Sequence, residues 1–251
     1  MPRLGLVLAV AVTLSACGGN APTSPTASSA TPPPTAAGRH AVSFAGGDLT
    51  LGGLLYLPDA NEPRPAIIVL HGWLAAGTNG AAVVEARAAR LAADGYVALA
   101  LAMRGWPPSA GADDCGLRQP DDVVAATAWL RTLPGVAADR IAVVGFSQGG
   151  QVALLAAARA SSLRAVVAYY PVTDVARWKT TTANPDIPDY ITAVCEPGGT
   201  AARSPATRAA DITAAVLLVH GDADTRVPTE QSRLMLDALV AAGRPAQLEL
   251  I

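Results

Sequence analysis

At 251 residues, 51% of them hydrophobic and only 15% charged, the chain can bury a large core and is not disordered as a whole. Eighteen Lys and Arg against twenty Asp and Glu give a formal net charge of −2. That balance offers no basic field suited to nucleic acid, and one globular domain is the default for this length.

The chain opens with Arg3, an apolar run over residues 4–14, and then Leu14-Ser15-Ala16-Cys17. This is the pattern of an export signal, and the run is shorter than the roughly 20 residues a membrane-spanning helix needs. Small residues just before Cys17 resemble the lipobox of bacterial lipoproteins, with an ordinary signal peptide as the alternative. The resemblance implies that residues 1–17 are a signal peptide, that Cys17 is lipidated, and that the rest is exported and held at the membrane by that anchor alone. Residues 18–38, dominated by Pro, Thr, Ser, Ala and Gly and free of charge, read as a disordered tether. The folded domain is then expected over residues 39–251. Its two cysteines, Cys115 and Cys195, would meet an oxidising compartment; a disulfide and two separate buried thiols both remain open.

After the tether, "HAVSF" and "LTLGGLLYLP" predict two strands around a turn at Gly46-Gly47-Asp48. "AIIVL" follows as a continuous apolar run, the mark of a strand covered on both faces. From there helices and strands alternate: a helix over residues 80–93, strand "YVALALA", a helix over 121–133, strand "RIAVVG", a helix from Ser147, and strand "AVVAYY". Residues 171–213 show no clear period and read as an excursion above the sheet edge. Strand "AVLLVH", a helix over 229–242 and strand "AQLELI" close the chain. The alternation predicts a mostly parallel, doubly wound α/β sheet, in which working groups gather at the carboxyl ends of the strands.

Four such ends carry candidate chemistry. Gly145-Phe146-Ser147-Gln148-Gly149 matches G-x-S-x-G between a strand and a helix, the context that makes it a nucleophile elbow with Ser147 as nucleophile. His71-Gly72-Trp73 ends an earlier strand, and the Trp73 amide, with Leu74 as fallback, can pair with the Gln148 amide as an oxyanion hole. The stretch "HGDADTRVP" offers Asp222 and Asp224 as the acid that would orient a histidine. The loop "LAMRGWPPSAGADDC" places Arg104 and Trp106 either in the pocket wall or in a surface loop pinned by Cys115.

These segments resemble the catalytic domain of the prolyl oligopeptidase family. His220-Gly221-x-x-Asp224-x-x-Val227-Pro228 corresponds to the pattern that carries the family's triad acid, and "DVVAATAWLRTLPGVAADRIAVVGFSQGG" and "YYPVTDVARW" extend the likeness. The resemblance implies an α/β-hydrolase fold, Ser147 as nucleophile and Asp224 as acid. Similar Arg-Gly loops line the site in that family. Dienelactone hydrolases are similar in architecture but carry a cysteine where Ser147 stands. No β-propeller precedes the domain in this sequence.

The third triad member is the difficulty. Only His40, His71 and His220 are present. The resemblance implies structural roles for His71 and His220 and places the base in a loop after the last strand. The expectation is therefore a domain without its histidine loop and last helix, with one sheet face uncovered and the base lying outside these residues. The expected function is hydrolysis of a small ester or peptide through an acyl-enzyme. No metal or organic cofactor is expected, since no cluster has ligand spacing. Rival readings are a dienelactone-hydrolase-like carboxylic ester hydrolase and a non-catalytic binding protein that keeps the pocket.

Overall fold

The computed structural model describes residues 33–251. Cys17, the signal segment and most of the expected tether lie outside the described residues.

Eight strands form one sheet in the order β1-β2-β4-β3-β5-β6-β7-β8. The strands are β1 (Gly38–Gly46), β2 (Leu49–Leu57), β3 (Arg64–Leu70), β4 (Val97–Leu101), β5 (Val136–Phe146), β6 (Leu163–Tyr169), β7 (Ala215–His220) and β8 (Ala246–Leu250). β1 pairs antiparallel with β2, and β2 antiparallel with β4; every later pairing is parallel. The predicted turn holds Gly47 at φ 71°, a conformation that favours glycine. All five residues of β4 are buried, as a two-sided apolar strand requires.

Helix α1 (Gly80–Ala93) begins where Asn79 Oδ1 accepts from the Ala82 amide at 3.0 Å. It packs Ala81, Val84 and Ala88 against Val69, Ala98 and Ala100 on one face of the sheet. Helix α2 (Gln119–Leu130) starts two residues earlier than predicted because Pro120 occupies its first turn, with Asp121 and Asp122 beside it. Helices α2, α3 (Gln148–Ala157) and α6 (Glu230–Ala241) cover the opposite face and enclose the main core, including Val123, Leu154 and Met235.

The α1 face is covered unevenly. α1 packs on β2, β3 and β4, whereas Ala165, Val167, Ala215 and Leu217 border an open depression of about 420 Å³ over β6, β7 and β8. An uncovered sheet face, expected from the sequence, is thus present among the described residues.

The excursion is more ordered than its lack of period suggested. It contains α4 (Val175–Thr181), α5 (Ile187–Tyr190), a π-helical turn (Ile191–Cys195) and two 3-10 turns. Its apolar residues Val172, Val175, Trp178, Ile187 and Ile191 cluster with Val227 and the two cysteines, a satellite core above the strand ends. Cys115 and Cys195 form a disulfide with Cα atoms 5.2 Å apart. This resolves the alternative left open by spacing: the bond joins the loop after β4 to the excursion.

Candidate active site

At the end of β5 the chain turns directly into α3, and Ser147 sits on the turn at φ 54° and ψ −119°. A serine in that region is strained by about 1–3 kcal/mol and persists only where its surroundings hold it. The neighbouring glycines explain how. A Cβ on Gly145 would lie 2.1 Å from the Gly149 carbonyl oxygen, and one on Gly149 would lie 2.4 Å from the His71 carbonyl oxygen. Glycine is therefore required at both places for strand and helix to approach this closely. The Ser147 amide donates to the Tyr169 carbonyl at 2.9 Å, and its own carbonyl accepts from Gly150 at 2.9 Å. The side chain is left half-buried at the head of α3.

The Gln148 amide is the first of α3 and cannot be satisfied within the helix. The turn after β3 supplies a second such group: among the described residues no backbone carbonyl accepts from the Trp73 amide. Gly72 holds this turn close, since a Cβ there would come within 3.3 Å of Ser147 Cβ. Ser147, Gln148, Gly72, Trp73 and Asp224 all line one cavity of about 220 Å³. Its remaining walls come largely from Tyr170 and from Trp178, Ile187 and Tyr190 of the excursion.

The structure separates the two acids. Asp222 is exposed, and its amide donates to the Ile251 carbonyl at 3.0 Å. Asp224 faces the cavity, and its Oδ1 accepts from the amides of Arg226 and Val227, each at 2.9 Å. Those bonds fix the carboxylate, and among the described residues Oδ2 has no hydrogen-bond donor; His220 Nε2 stands 3.8 Å away, too far for one.

Neither strand-end histidine is free to act as a base. His220 donates from Nε2 to the Val227 carbonyl at 2.7 Å and accepts at Nδ1 from the Ser232 hydroxyl at 2.7 Å. His71 donates from Nδ1 to the Gly72 carbonyl at 2.7 Å and accepts at Nε2 from the Met103 amide at 3.1 Å. These partners assign the tautomers. Both rings are wholly buried, and burial pushes both below the ordinary histidine value, so each stays neutral. They pin strand ends. His40 lies on β1, four strands from β5 and therefore about 19 Å across the sheet; its Nε2 meets the Ala36 carbonyl at 2.8 Å.

Two predicted pocket residues are displaced by the structure. Arg104 is 5% exposed, and its guanidinium grips Asp122 Oδ1 through Nε at 2.9 Å and Nη2 at 2.6 Å. The Arg104 amide takes the other carboxylate oxygen at 2.8 Å, so a buried ion pair consumes the group. Trp106 is 2% exposed, stands edge-on to His71, and donates its indole N–H to the Leu74 carbonyl at 3.1 Å. It supports the turn bearing Trp73 from beneath, and neither residue lines the cavity.

Other contributors were not singled out in the sequence. Trp178 donates its indole N–H to the Arg226 carbonyl at 2.8 Å, which ties the excursion to the Asp224 loop. Asp113 accepts from four donors: Tyr190, Gln148, Gln119 and the Cys115 amide. Only the fold brings these groups together, and no local pattern marked them.

With this geometry established, comparison with known proteins is direct. Residues 83–251 match the prolyl oligopeptidase family. The chain belongs to the prolyl oligopeptidase family. Among curated relatives, the quorum-quenching protein AidA of Acinetobacter baumannii is 32% identical over 136 residues, which cover 53% of this chain and 44% of that protein. The uncharacterized peptidase YtmA of Bacillus subtilis is 27% identical over 218 residues, covering 83% and 82% of the two. An acylaminoacyl peptidase of Pyrococcus horikoshii superposes with a TM-score of 0.72 at 20% identity, over 85% of this chain and 36% of that one. Acetyl xylan esterase 1 of Thermoanaerobacterium superposes with a TM-score of 0.68 at 19% identity, over 88% and 79%. The chain thus spans less than half of AidA and about a third of the acylaminoacyl peptidase. Its fold is the α/β-hydrolase fold, as the sequence led us to expect.

Proposed function

We propose that this prolyl oligopeptidase family member is a serine hydrolase that cleaves small esters or peptides through an acyl-enzyme. The observation that carries the reading is the strained Ser147 at the head of α3, facing Asp224 across a shared cavity. Ser147 Oγ attacks the carbonyl carbon, and its proton passes to an imidazole held by Asp224 Oδ2. The Trp73 and Gln148 amides receive the oxyanion. The leaving group departs with that proton, and water then releases the acyl group by the reverse sequence of transfers.

The imidazole is not His40, His71 or His220, and we place it outside residues 33–251. Two features support this. Asp224 Oδ2 has no hydrogen-bond donor among the described residues. His71 and His220 each have both ring nitrogens engaged in hydrogen bonds elsewhere. We further propose that the domain is exported and lipid-anchored through Cys17; loss of membrane partition in Cys17→Ser would support this, and unchanged partition would refute it.

Labelling with a fluorophosphonate tests the serine reading. We expect Ser147 in the 251-residue chain to label slowly and to accelerate when free imidazole is added. Ser147→Ala should abolish the label. Rapid labelling indifferent to imidazole would show that a base is already present among these residues and would sink the assignment.

A further inference from the structure

Resting on the assignment of the Trp73 and Gln148 amides to the oxyanion, we propose that Tyr190 is a positioning residue that holds both donors in place, with Asp113 as its anchor. Tyr190 ends α5, on the excursion, and makes a different contact with each donor residue. Its ring meets the Trp73 ring with centroids 5.2 Å apart and planes tilted by 51°. Its hydroxyl accepts from Gln148 Nε2 at 3.1 Å and donates to Asp113 Oδ2 at 2.8 Å.

Asp113 makes this bridge rigid. Its Oδ1 accepts from Gln148 Nε2 at 3.0 Å, from the Cys115 amide at 3.0 Å and from Gln119 Nε2 at 3.1 Å. The carboxylate also fixes which way the Gln148 carboxamide points, because turning it over would set its oxygen against Asp113. Burial, and then the charge of Asp113, push the Tyr190 hydroxyl far above its ordinary value, so it stays protonated and keeps donating. The Cys115–Cys195 bond closes the frame, since Cys115 lies two residues beyond Asp113 and Cys195 ends the π turn that follows Tyr190.

Such a frame matters because oxyanion donors act only within about 2.7–3.1 Å of the charge they receive, and a displacement of about 1 Å is costly. Trp73 sits on a turn outside any helix or strand, with its ring exposed. Gln148 is held by α3, but its side chain is the handle by which the excursion reaches it. Tyr190 reaches both, one by packing and one by hydrogen bonding.

The two arms can be cut separately. Tyr190→Phe removes the hydroxyl and keeps the ring; Tyr190→Leu removes both while keeping apolar volume. Fluorophosphonate labelling of Ser147 is resolved into a binding constant and a maximal rate. We expect Tyr190→Phe to lower the maximal rate about tenfold and Tyr190→Leu about a hundredfold, with the binding constant within about twofold in both. In amide NMR spectra the Gln148 resonance should move in both variants and the Trp73 resonance in Tyr190→Leu alone. Weakened binding at an unchanged maximal rate would make Tyr190 a mere wall of the cavity and overturn the proposal. So would parental labelling in both variants, or an unmoved Gln148 resonance. A parent chain that does not label at all would refute the serine assignment instead, and the amide resonances would then decide the role of Tyr190 alone.

Discussion

Replacing Ser147 by glycine separates two effects of one residue. Glycine tolerates positive φ, so Ser147→Gly relieves strain of about 1–3 kcal/mol and loses part of it to the greater freedom of the unfolded chain. We expect unfolding by urea to require about 1 kcal/mol more, while labelling disappears. Ser147 and the His-Gly-x-x-Asp pattern could be read in the sequence because each is a local device at a strand end. Arg104 misled because "MRGW" says nothing of Asp122, which meets it only through the fold. The family pattern already pointed to Asp224 rather than Asp222, and the backbone supplies the reason, since the Arg226 and Val227 amides hold Asp224 where it lines the cavity. Asp224→Asn should therefore lower imidazole-assisted labelling about a hundredfold or more, whereas Asp222→Asn should leave it within about twofold. The two buried histidines set a pH dependence. Their folded values lie below the ordinary value of about 6.5, so their contribution is intact above that pH and declines as pH falls through it. The urea midpoint should drop between pH 7.5 and 5.5; a flat or rising midpoint would contradict neutral His71 and His220.

Elements were legible where periodicity or punctuation was strong. β3 and β4 announced themselves as unbroken apolar runs, and α1 matched its predicted span because both its cap and its buried stripe are local. Residues 171–213 were opaque because their short helices draw stability from contacts with other parts of the chain. Trp178 bonds to Arg226, Arg203 Nε donates to the Asp114 carbonyl at 3.0 Å, and Gln151 Nε2 donates to the Arg203 carbonyl at 2.7 Å. The disulfide across this region has a sequence separation of 80, for which chain-entropy reasoning gives about 4.5 kcal/mol. Cys115→Ser with Cys195→Ser should lower the unfolding free energy by about that amount, loosening the excursion first. A loss below about 1 kcal/mol would show that the satellite core holds this region without the bond.

On the scale of the whole molecule, the sheet places Ser147, Gln148, Trp73 and Asp224 at one edge, the carboxyl ends of its strands, and leaves part of one face bare. Doubly wound topology made that edge predictable, because parallel strands carry their loops at a common end. The resemblance placed the base outside these residues and gave His71 and His220 structural roles, and the structure engages both buried histidines elsewhere. The central claim is that Ser147 is an assembled nucleophile whose base is supplied from outside residues 33–251. The most direct measurement is the rate of fluorophosphonate labelling of Ser147 as free imidazole is increased. The account predicts a slow basal rate that rises with imidazole and vanishes in Ser147→Ala. A fast rate unaffected by imidazole, or no labelling at any imidazole concentration, would contradict it.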